Sequence, residues 1–559
     1  MVSKNLNYKL GLLVYSVFIG IVPLLLLWKT GLVYSGSDMQ FHISRIAEVA
    51  DAFKHGQFLN ITAIISDNAA GSMVNQFYPY LTLIPAVFLK LMIHNDVMAY
   101  YVTLLFYNIV TFLIAYYAFT KISKRKQVGI WGATLASLSM YRLFSLIGTS
   151  AFGEFIAIGL IPLIWWGYVK VISENKWGTL YIGMTLLAYT HLLSLVMVVA
   201  ILGVITVVRW LVSAKLPVQE LLGFLKAGFA TGVSWLPYLI PYIVLTHSNN
   251  IANPYAGLVM GSIKPFMGYL MDYQFTRGVG LALLLANLLV LLCWKKIDKN
   301  TKWVFISGTI IVALASTIFP WALFADTPVK TIQFPYRFLV IGSVLLAYAG
   351  GVGIDQVCRY KSRIYGAAWQ LMFIILIVGI SLFGIHRYGQ TDLSKFGIAD
   401  NKTKVLSYTP YASYAVNNET FDKQFILPFK TYGAYDYWTQ ESISNKDFYQ
   451  KPIKQVQKLG THGRAQQYVL DANRDTNIEI PTIMYEGVHY DVLLDKHKIT
   501  VTKGAHGGMV VHVSKGKHFL SVKTNATVVQ KLVVIIALVP LLYIIWSSWK
   551  FNRKKINIE

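Results

Sequence analysis

The stretch on which the interpretation of the chain turns is residues 37–53, SDMQFHISRIAEVADAF, which follows the first long apolar segment. At about 100° per residue, Asp38, His42 and Arg45 fall on one narrow helical stripe. An apolar stripe from Met39 to Phe53 lies roughly a quarter turn away. The pattern predicts a helix lying in a membrane surface, with a carboxylate, an imidazole and a guanidinium above it. An amphipathic connector whose polar side faces water is the alternative, and the helix pattern alone favours it.

The composition of the whole chain places it in the membrane class. It has 559 residues, 55% of them hydrophobic and 14% charged, with a mean hydropathy of +0.50. Soluble proteins carry about a quarter charged residues, whereas repeated apolar runs of about 20 residues are typical of helical membrane proteins. The net charge of +24 comes mostly from short basic clusters between those runs. This is the positive-inside pattern, so we expect no nucleic-acid partner.

Twelve apolar runs predict a polytopic α-helical protein. They lie near residues 10–28, 97–119, 128–147, 155–172, 178–193, 195–213, 227–245, 279–294, 303–320, 338–355, 367–385 and 528–547. Segment 78–93 is interpreted as an interfacial helix, since counting it as a span would move the basic cluster at 121–126 outside. One orientation then places every basic cluster inside, so we expect a multi-pass cell-membrane protein with both termini cytoplasmic.

This topology divides the chain into three parts. Residues 1–385 form a transmembrane domain with a large first outer loop, 29–96, and residues 528–559 form a last span and a basic cytoplasmic tail. Residues 386–527 are expected outside the cell. Near its end, this segment alternates apolar and polar residues in strand fashion at 492–494, 498–502, 509–513 and 519–522, with a Gly507-Gly508 turn between the second and third runs. The pattern predicts an extracytoplasmic, sandwich-like β-rich domain.

Four more polar residues lie where predicted spans reach the outer face: Arg142, Glu154, His191 and Arg337. Each has a structural interpretation, because the arginines can extend to the interface, Glu154 can pair with either, and His191 can hydrogen-bond within its turn. Charge near a membrane is costly and commonly functional. These four share one face of the membrane with the polar stripe of residues 37–53, which favours a common site.

The residue types in this set suit one kind of chemistry. A carboxylate in an outward cavity can act as a general base on a hydroxyl, and arginines at headgroup level suit a phosphate or diphosphate. Together they predict group transfer from a lipid-linked phosphate donor outside the membrane. Alternatively, Asp38, His42 and Glu154 could hold a divalent cation, although a zinc site lacks its HxxH or HExxH pair. No phosphate-binding loop supports ATP or NAD as a cofactor.

Several short motifs carry a resemblance to known families. The order of elements at the start of the chain resembles the GT-C glycosyltransferase superfamily. A first span is followed by an Asp and by a large outer loop with two membrane-lying helices. More narrowly, the chain resembles bacterial membrane proteins named 6-pyruvoyl-tetrahydropterin synthase-related, and their YfhO-like relatives. The matching pieces are residues 38–45, Tyr141-Arg142 with Gly153-Glu154, residues 190–194, residues 333–338, and residues 481–487 through 515–518.

The resemblance implies a hexosyltransferase-type enzyme that moves a sugar from a polyprenyl-phosphate-linked donor to a cell-envelope glycan or glycolipid. It makes Asp38 the base or a metal-associated carboxylate. Directly after the first span stands Asp38 alone, where several GT-C families have paired acidic residues, which argues against a metal site while a divalent cation stays open. The histidine zinc cluster of the soluble pterin enzyme is missing, so we expect no pterin activity.

The remaining residues are then expected to bind substrate. Arg337, with Arg142 as second choice, would stabilise charge on the leaving phosphate. His42 and Arg45 would orient the acceptor or the donor. Glu154 and His191 are expected to bind the acceptor or support the site.

Two other function classes stay open at this stage. A lipid or polysaccharide transporter or flippase would need polar residues at mid-membrane depth, accessible from both sides. A non-catalytic scaffold for envelope assembly would use the β-rich domain as a binding module and would tolerate loss of Asp38. Fold resemblance by itself does not separate an enzyme from either class.

Overall fold

A computed structural model describes most of the chain. The described residues are 2–28, 31–34, 36–66, 69–213, 217–252, 257–273, 275–359, 363–388, 415–422 and 435–556. Helices dominate up to residue 388, and strands dominate from residue 456 to residue 524.

The α-helices follow one another along the chain with short connections. They are α1 (Val2–Ile21), α2 (Leu25–Trp28), α3 (Met39–Lys54), α4 (Val74–Phe77), α5 (Ile84–Met92), α6 (Asp96–Ser123), α7 (Lys126–Ser137), α8 (Met140–Leu143), α9 (Phe152–Glu174), α10 (Gly178–Ala188), α11 (Leu192–Ser213), α12 (Val218–Ser248), α13 (Phe266–Leu270), α14 (Leu281–Leu292), α15 (Lys299–Ala315), α16 (Leu339–Arg359), α17 (Arg363–Tyr388), α18 (Gln440–Ser444), α19 (Lys446–Gln450) and α20 (Val528–Ile556). The helix predicted from residues 37–53 is confirmed as α3.

The strands are short and lie mostly in the C-terminal part. They are β1 (Val33–Tyr34), β2 (Ala415–Val416), β3 (Val456–His462), β4 (Ala465–Ala472), β5 (Thr476–Ile483), β6 (Tyr490–Leu494), β7 (His497–Lys498), β8 (Thr502–Lys503), β9 (Gly508–Val513) and β10 (Gly516–Thr524). Strand predictions at 492–494, 509–513 and 519–522 are confirmed. The run 498–502 is divided between β7 and β8.

Within the described residues, eight helices are long and apolar enough to cross a membrane, or nine if the bent pair at 126–148 is one span. This supports a multi-pass membrane protein. The predicted count of twelve is not confirmed, because the runs near 178–193, 279–294 and 303–320 form the shorter helices α10, α14 and α15. At 1.5 Å per residue, a helix of 11 or 12 residues reaches little more than half of a hydrocarbon core of about 30 Å.

The chain forms two compact units. The first comprises Met1–Met39, Asn95–Gly228 and Tyr255–Asn418, and the second comprises Gln40–His94, Phe229–Pro254 and Glu419–Glu559. Most of the first outer loop thus belongs to the same unit as the β-rich region. The domain boundaries expected at residues 385 and 527 describe how the parts follow one another along the chain, and they stay a prediction.

Helix packing builds the core of the first unit. Almost every residue of α16 is buried, so this helix is central to the first unit. A Cβ at Gly351 of α16 would lie 2.6 Å from the backbone nitrogen of Gly132 in α7. Small residues therefore let these two helices approach closely, as is common in membrane helix pairs.

A β-sandwich forms the C-terminal part of the second unit. One sheet has the strand order β3-β4-β10-β6-β7, and the other has the order β5-β9-β8. Alternate residues of each strand point inward, for example Tyr468 and Leu470 from β4 against Ile480 from β5 and Val511 from β9, all of them buried. This two-sheet core is the arrangement that the period-2 pattern predicts.

Candidate active site

Asp38 lies in the first unit, directly before α3, and its backbone is fixed by the turn that precedes α9. The Asp38 N–H donates to the carbonyl oxygen of Thr149 at 2.9 Å, and the Gly36 N–H donates to Ser150 Oγ at 3.1 Å. A Cβ at Gly36 would overlap the backbone of Thr149. Only glycine fits this approach, so Gly36 sets the position of the carboxylate.

Glu154 is the second carboxylate of the cluster and lies in the first turn of α9. It is 8% exposed, and the hydroxyl of Tyr141 donates to its Oε1. The ring of Tyr141 in turn packs edge-on against Tyr336, with 6.2 Å between centroids. These two tyrosines form an aromatic wall beside the buried carboxylate.

Arg337 and Arg277 supply the positive charge. Arg337 Nη1 donates to the carbonyl oxygen of Ile332 at 2.9 Å and to Gln333 Oε1 at 2.8 Å. The guanidinium carbon of Arg277 lies 4.9 Å from the ring centroid of Tyr336. Both arginines are partly buried.

The four charged groups act on one another through space. The charges of Arg337 and Arg277 act on Asp38 and on Glu154, and the two carboxylates repel each other. Among the described residues, no salt bridge within 4.0 Å joins either arginine to a carboxylate, and the buried Nε atoms of both arginines have no hydrogen-bond partner. Donors that are still unsatisfied beside two carboxylates suit an anionic, hydroxyl-bearing ligand.

Burial makes Asp38 a stronger base than an exposed aspartate. Desolvation raises the pKa of its carboxyl group, and the hydrogen bond from Ser37 Oγ at 2.9 Å, Arg337 and Arg277 oppose this rise. A general base works best when its pKa approaches the operating pH. The raised pKa of Asp38 therefore suits proton abstraction from a hydroxyl.

His191 lies between α10 and α11, where Ser194 holds its ring. Its Nδ1 accepts from the Ser194 backbone N–H at 3.3 Å and lies 2.7 Å from Ser194 Oγ, so we assign the ring proton to Nε2. Burial, and then the charge of Arg337, lower the pKa of His191 to about 3. His191 therefore belongs to the electrostatic surroundings of Arg337 and stays neutral at ordinary pH.

Arg142 is a packing residue of the helix bundle. It is fully buried, and its guanidinium donates to Asn108 Oδ1 at 3.0 Å, Thr111 Oγ1 at 3.0 Å and the carbonyl oxygen of Ser137 at 3.1 Å. It also lies 4.2 Å from the centroid of the Phe155 ring. These contacts join α6, α7 and α9, so we do not retain Arg142 as a phosphate ligand.

Arg45 has a comparable role inside the second unit. Its Nη2 donates to the carbonyl oxygens of Tyr78 and Pro79 at 2.8 and 2.9 Å, and its Nε donates to Asn75 Oδ1 at 3.2 Å. The guanidinium also covers the Tyr78 ring at 4.4 Å. Burial lowers the pKa of Arg45 to about 10, which leaves it charged at neutral pH. Arg45 thus fastens α3 to the segment after α4.

His42 lies on α3 beside Arg45 and is 3% exposed. Its ring packs edge-on against Phe41 and Tyr78, with centroid distances of 5.2 and 5.7 Å. The predicted stripe is therefore divided between the units, with Asp38 in the first and both His42 and Arg45 in the second.

Arg277 is the residue that the sequence analysis missed. A signal existed, because Arg277 directly precedes the apolar run 279–294, just as Arg337 precedes the run 338–355.

Among the described residues, no three His, Cys, Asp or Glu side chains come together as a metal site. We therefore describe the candidate active site by its carboxylates, arginines and tyrosines, and assign no step to a cation.

Comparisons with known proteins add two distant structural likenesses. No family model and no curated protein matches the sequence. The crystal structure of ArnT from Cupriavidus metallidurans bound to undecaprenyl phosphate is similar with a TM-score of 0.38 and 12% identity, over 70% of this chain and 76% of that one. Arabinofuranosyltransferase AftD from Mycobacteria is similar with a TM-score of 0.36 and 14% identity, over 67% of this chain and 26% of AftD. Likenesses at this level carry no argument about activity.

Proposed function

We propose that the protein is a membrane glycosyltransferase that transfers a sugar from a polyprenyl-phosphate-linked donor to a hydroxyl of a cell-envelope acceptor. The observation that carries the proposal is the cluster of Asp38 and Glu154 with Arg277 and Arg337 in the first unit. A base and a phosphate-binding pair within one site are what this reaction requires. The GT-C and YfhO-like resemblances of the sequence agree with the same activity.

In the proposed reaction, the Asp38 carboxylate takes the proton of the acceptor hydroxyl. The hydroxyl oxygen of the acceptor attacks the anomeric carbon of the donor sugar at the same time. The bond between that carbon and the phosphate oxygen breaks, and the electron pair leaves with the polyprenyl phosphate. Arg277 and Arg337 stabilise the charge that grows on the leaving phosphate. Glu154, held by Tyr141, accepts hydrogen bonds from the sugar hydroxyls.

An apolar groove in the first unit supports a lipid donor. It lies between α9, α11 and α16, and its lining includes Ile161, Val198 and Ile341. At 1.5 Å per residue, Ile341 lies about 6 Å beyond Arg337, and Ile161 lies about 10 Å beyond Glu154. A phosphate at the arginines would thus have an apolar path for its prenyl chain close by.

The test is transfer by the purified full-length protein in lipid nanodiscs. The donors are synthetic polyprenyl phosphates that carry different sugars, and the acceptors are envelope glycans and glycolipids. We expect release of free polyprenyl phosphate that depends on the acceptor and on Asp38. The sugar content of the envelope with and without the gene identifies which donor and acceptor to supply.

Two outcomes would contradict the proposal. Movement of the intact donor across a sealed bilayer without bond cleavage would show a flippase. Normal envelope sugars in cells that carry a well-folded Asp38→Asn protein would contradict Asp38 as the base, which a scaffold would tolerate.

A further inference from the structure

A buried ion pair in the second unit joins the β-sandwich to α3. Arg464 Nη1 donates to Glu48 Oε2 at 2.9 Å, and neither side chain is exposed. The same nitrogen donates to Asp51 Oδ2 at 3.0 Å. Glu48 and Asp51 lie on α3, whereas Arg464 lies in the hairpin turn between β3 and β4.

Each nitrogen of the Arg464 guanidinium and both carboxylate oxygens of Glu48 have hydrogen-bond partners. Arg464 Nη2 donates to the carbonyl oxygen of Thr62 at 2.5 Å, and its Nε donates to Gln57 Oε1 at 3.3 Å. The other oxygen of Glu48 accepts from the backbone N–H groups of Ile65 and Ser66 at 2.8 and 2.7 Å. The guanidinium thus holds both α3 and the chain that returns from it.

The hairpin is built to present this arginine. Gly463 and Arg464 form a two-residue turn with φ of +54° and +68°, which is the type I′ geometry that favours Asn or Gly. A long side chain in the left-handed region is uncommon and costs free energy. The contacts of Arg464 with α3 offset that cost. We therefore interpret this turn as the part of the β-sandwich that binds α3.

A second anchor strengthens the attachment. Lys458 Nζ and Gln466 Nε2 both donate to the carbonyl oxygen of Ala69, at 2.8 and 2.5 Å, and the Ile483 N–H donates to that of Ala70 at 2.8 Å. Strands β3, β4 and β5 therefore hold the segment after α3 as well. In this attachment, we assign the buried ion pair to fixing the arrangement of α3, because such a pair is weak evidence for net stability.

We propose that Arg464 is a positioning residue, through which the β-sandwich fixes the helix that begins directly after Asp38. The link to catalysis rests on the proposed function, because it takes Asp38 as the base. The N-terminus of α3 follows Asp38 in the chain, so a displaced helix changes the field of its dipole at the carboxylate.

The experiment compares full-length Arg464→Met, Arg464→Lys and wild-type protein in nanodiscs. Arg474→Met, in the exposed turn between β4 and β5, is the matched control. Hydrogen exchange is measured over α3, β4 and β10, together with the transfer rate and its pH profile. Hydrogen exchange needs no substrate, so it tests whether Arg464 holds α3 even if no transfer is found.

For Arg464→Met, we expect exchange at least tenfold faster in α3, with β4 and β10 unchanged. We also expect transfer at least tenfold slower per folded molecule, with the acid limb of its pH profile moved to higher pH. Arg464→Lys should fall between this variant and the wild type, and Arg474→Met should match the wild type.

Three results would overturn the inference. They are unchanged exchange in α3, faster exchange that extends into β4 and β10, and a loosened α3 with an unaltered rate and pH profile. A wild-type protein that shows no transfer would instead refute the proposed function. The exchange data would still decide whether Arg464 holds α3.

Discussion

The arginines of this protein fall into two groups that look alike in the sequence and differ in the structure. Arg45 and Arg142 are almost completely buried, and both donate to acceptors of their own unit. Arg277 lies in a loop and Arg337 in a 3-10 turn, each before a helix, and both are partly exposed and close enough to Asp38 and Glu154 for their charges to act on them. Buried guanidinium groups that make three hydrogen bonds within the fold stabilise it, whereas partly exposed ones beside two carboxylates are accessible to a ligand.

The largest effect should come from the carboxylate that these charges face. Asp38→Asn should slow sugar transfer about a thousandfold, since a positioned general base contributes about 10²–10⁴. The fold should be retained or slightly stabilised, because burial disfavours the charged form and asparagine carries no charge. Transfer assays and thermal unfolding of the same preparation check both parts.

Asp326→Asn is the matched control for this change, since Asp326 is exposed in a loop of the same unit. It should leave the rate within twofold of the wild type. An Asp38→Asn protein that transfers sugar at the control's rate would remove Asp38 from the mechanism.

The next effect should separate the two arginine groups directly. Arg277→Met and Arg337→Met should each weaken donor binding about 10- to 100-fold, since a hydrogen bond to a charged group is worth about 1.5–3 kcal/mol. Binding of the polyprenyl phosphate donor to nanodiscs measures this. Lys330→Met, an exposed neighbour of Arg337, should bind like the wild type. Equal weakening by Lys330→Met would show a general effect of surface charge.

The buried group should respond in stability and leave donor affinity unchanged. Arg45→Met leaves the buried carbonyl oxygens of Tyr78 and Pro79 without their donor, at a cost of about 1–3 kcal/mol for each unsatisfied group. Thermal unfolding should therefore move to lower temperature, while the folded fraction binds donor normally. Donor binding weakened as much as by Arg277→Met would place Arg45 at the ligand and break the distinction.

This division shows how far the sequence could lead. Apolar runs and strand alternation predict the membrane helices and the β-sandwich because burial follows periodicity. The sequence singles out Asp38, Glu154 and Arg337 as candidates because charge at span ends is rare enough to notice. The roles of Arg45 and Arg142 are not recoverable, because acceptors such as the Tyr78 carbonyl and Thr111 are brought to them by tertiary packing. Arg277 carries the same signal as Arg337, a charge at the start of an apolar run, but its approach to the two carboxylates depends on tertiary packing.

The smallest effect, and the one most specific to this electrostatic arrangement, is on the pH profile of transfer. Burial raises the pKa of Asp38, so the rate should fall, as the pH decreases, from a midpoint above the value of about 4 that an exposed aspartate has. His191, with a pKa of about 3, stays neutral at the pH of the assay and adds no limb near pH 6.5. Rates measured from pH 4 to pH 9 give the profile.

Variants that change the surroundings of Asp38 test whether its carboxyl group causes the acid limb of the pH profile. Arg337 lowers the pKa of Asp38, so Arg337→Met should move the acid limb to higher pH, and Ser37→Ala should do the same because it removes the hydrogen bond to the carboxylate. Lys330→Met should leave the midpoint in place. An acid limb unmoved by Arg337→Met would mean that the charge of Arg337 does not reach the group that titrates. The base would then have to be sought at Glu154, the other carboxylate of the cluster.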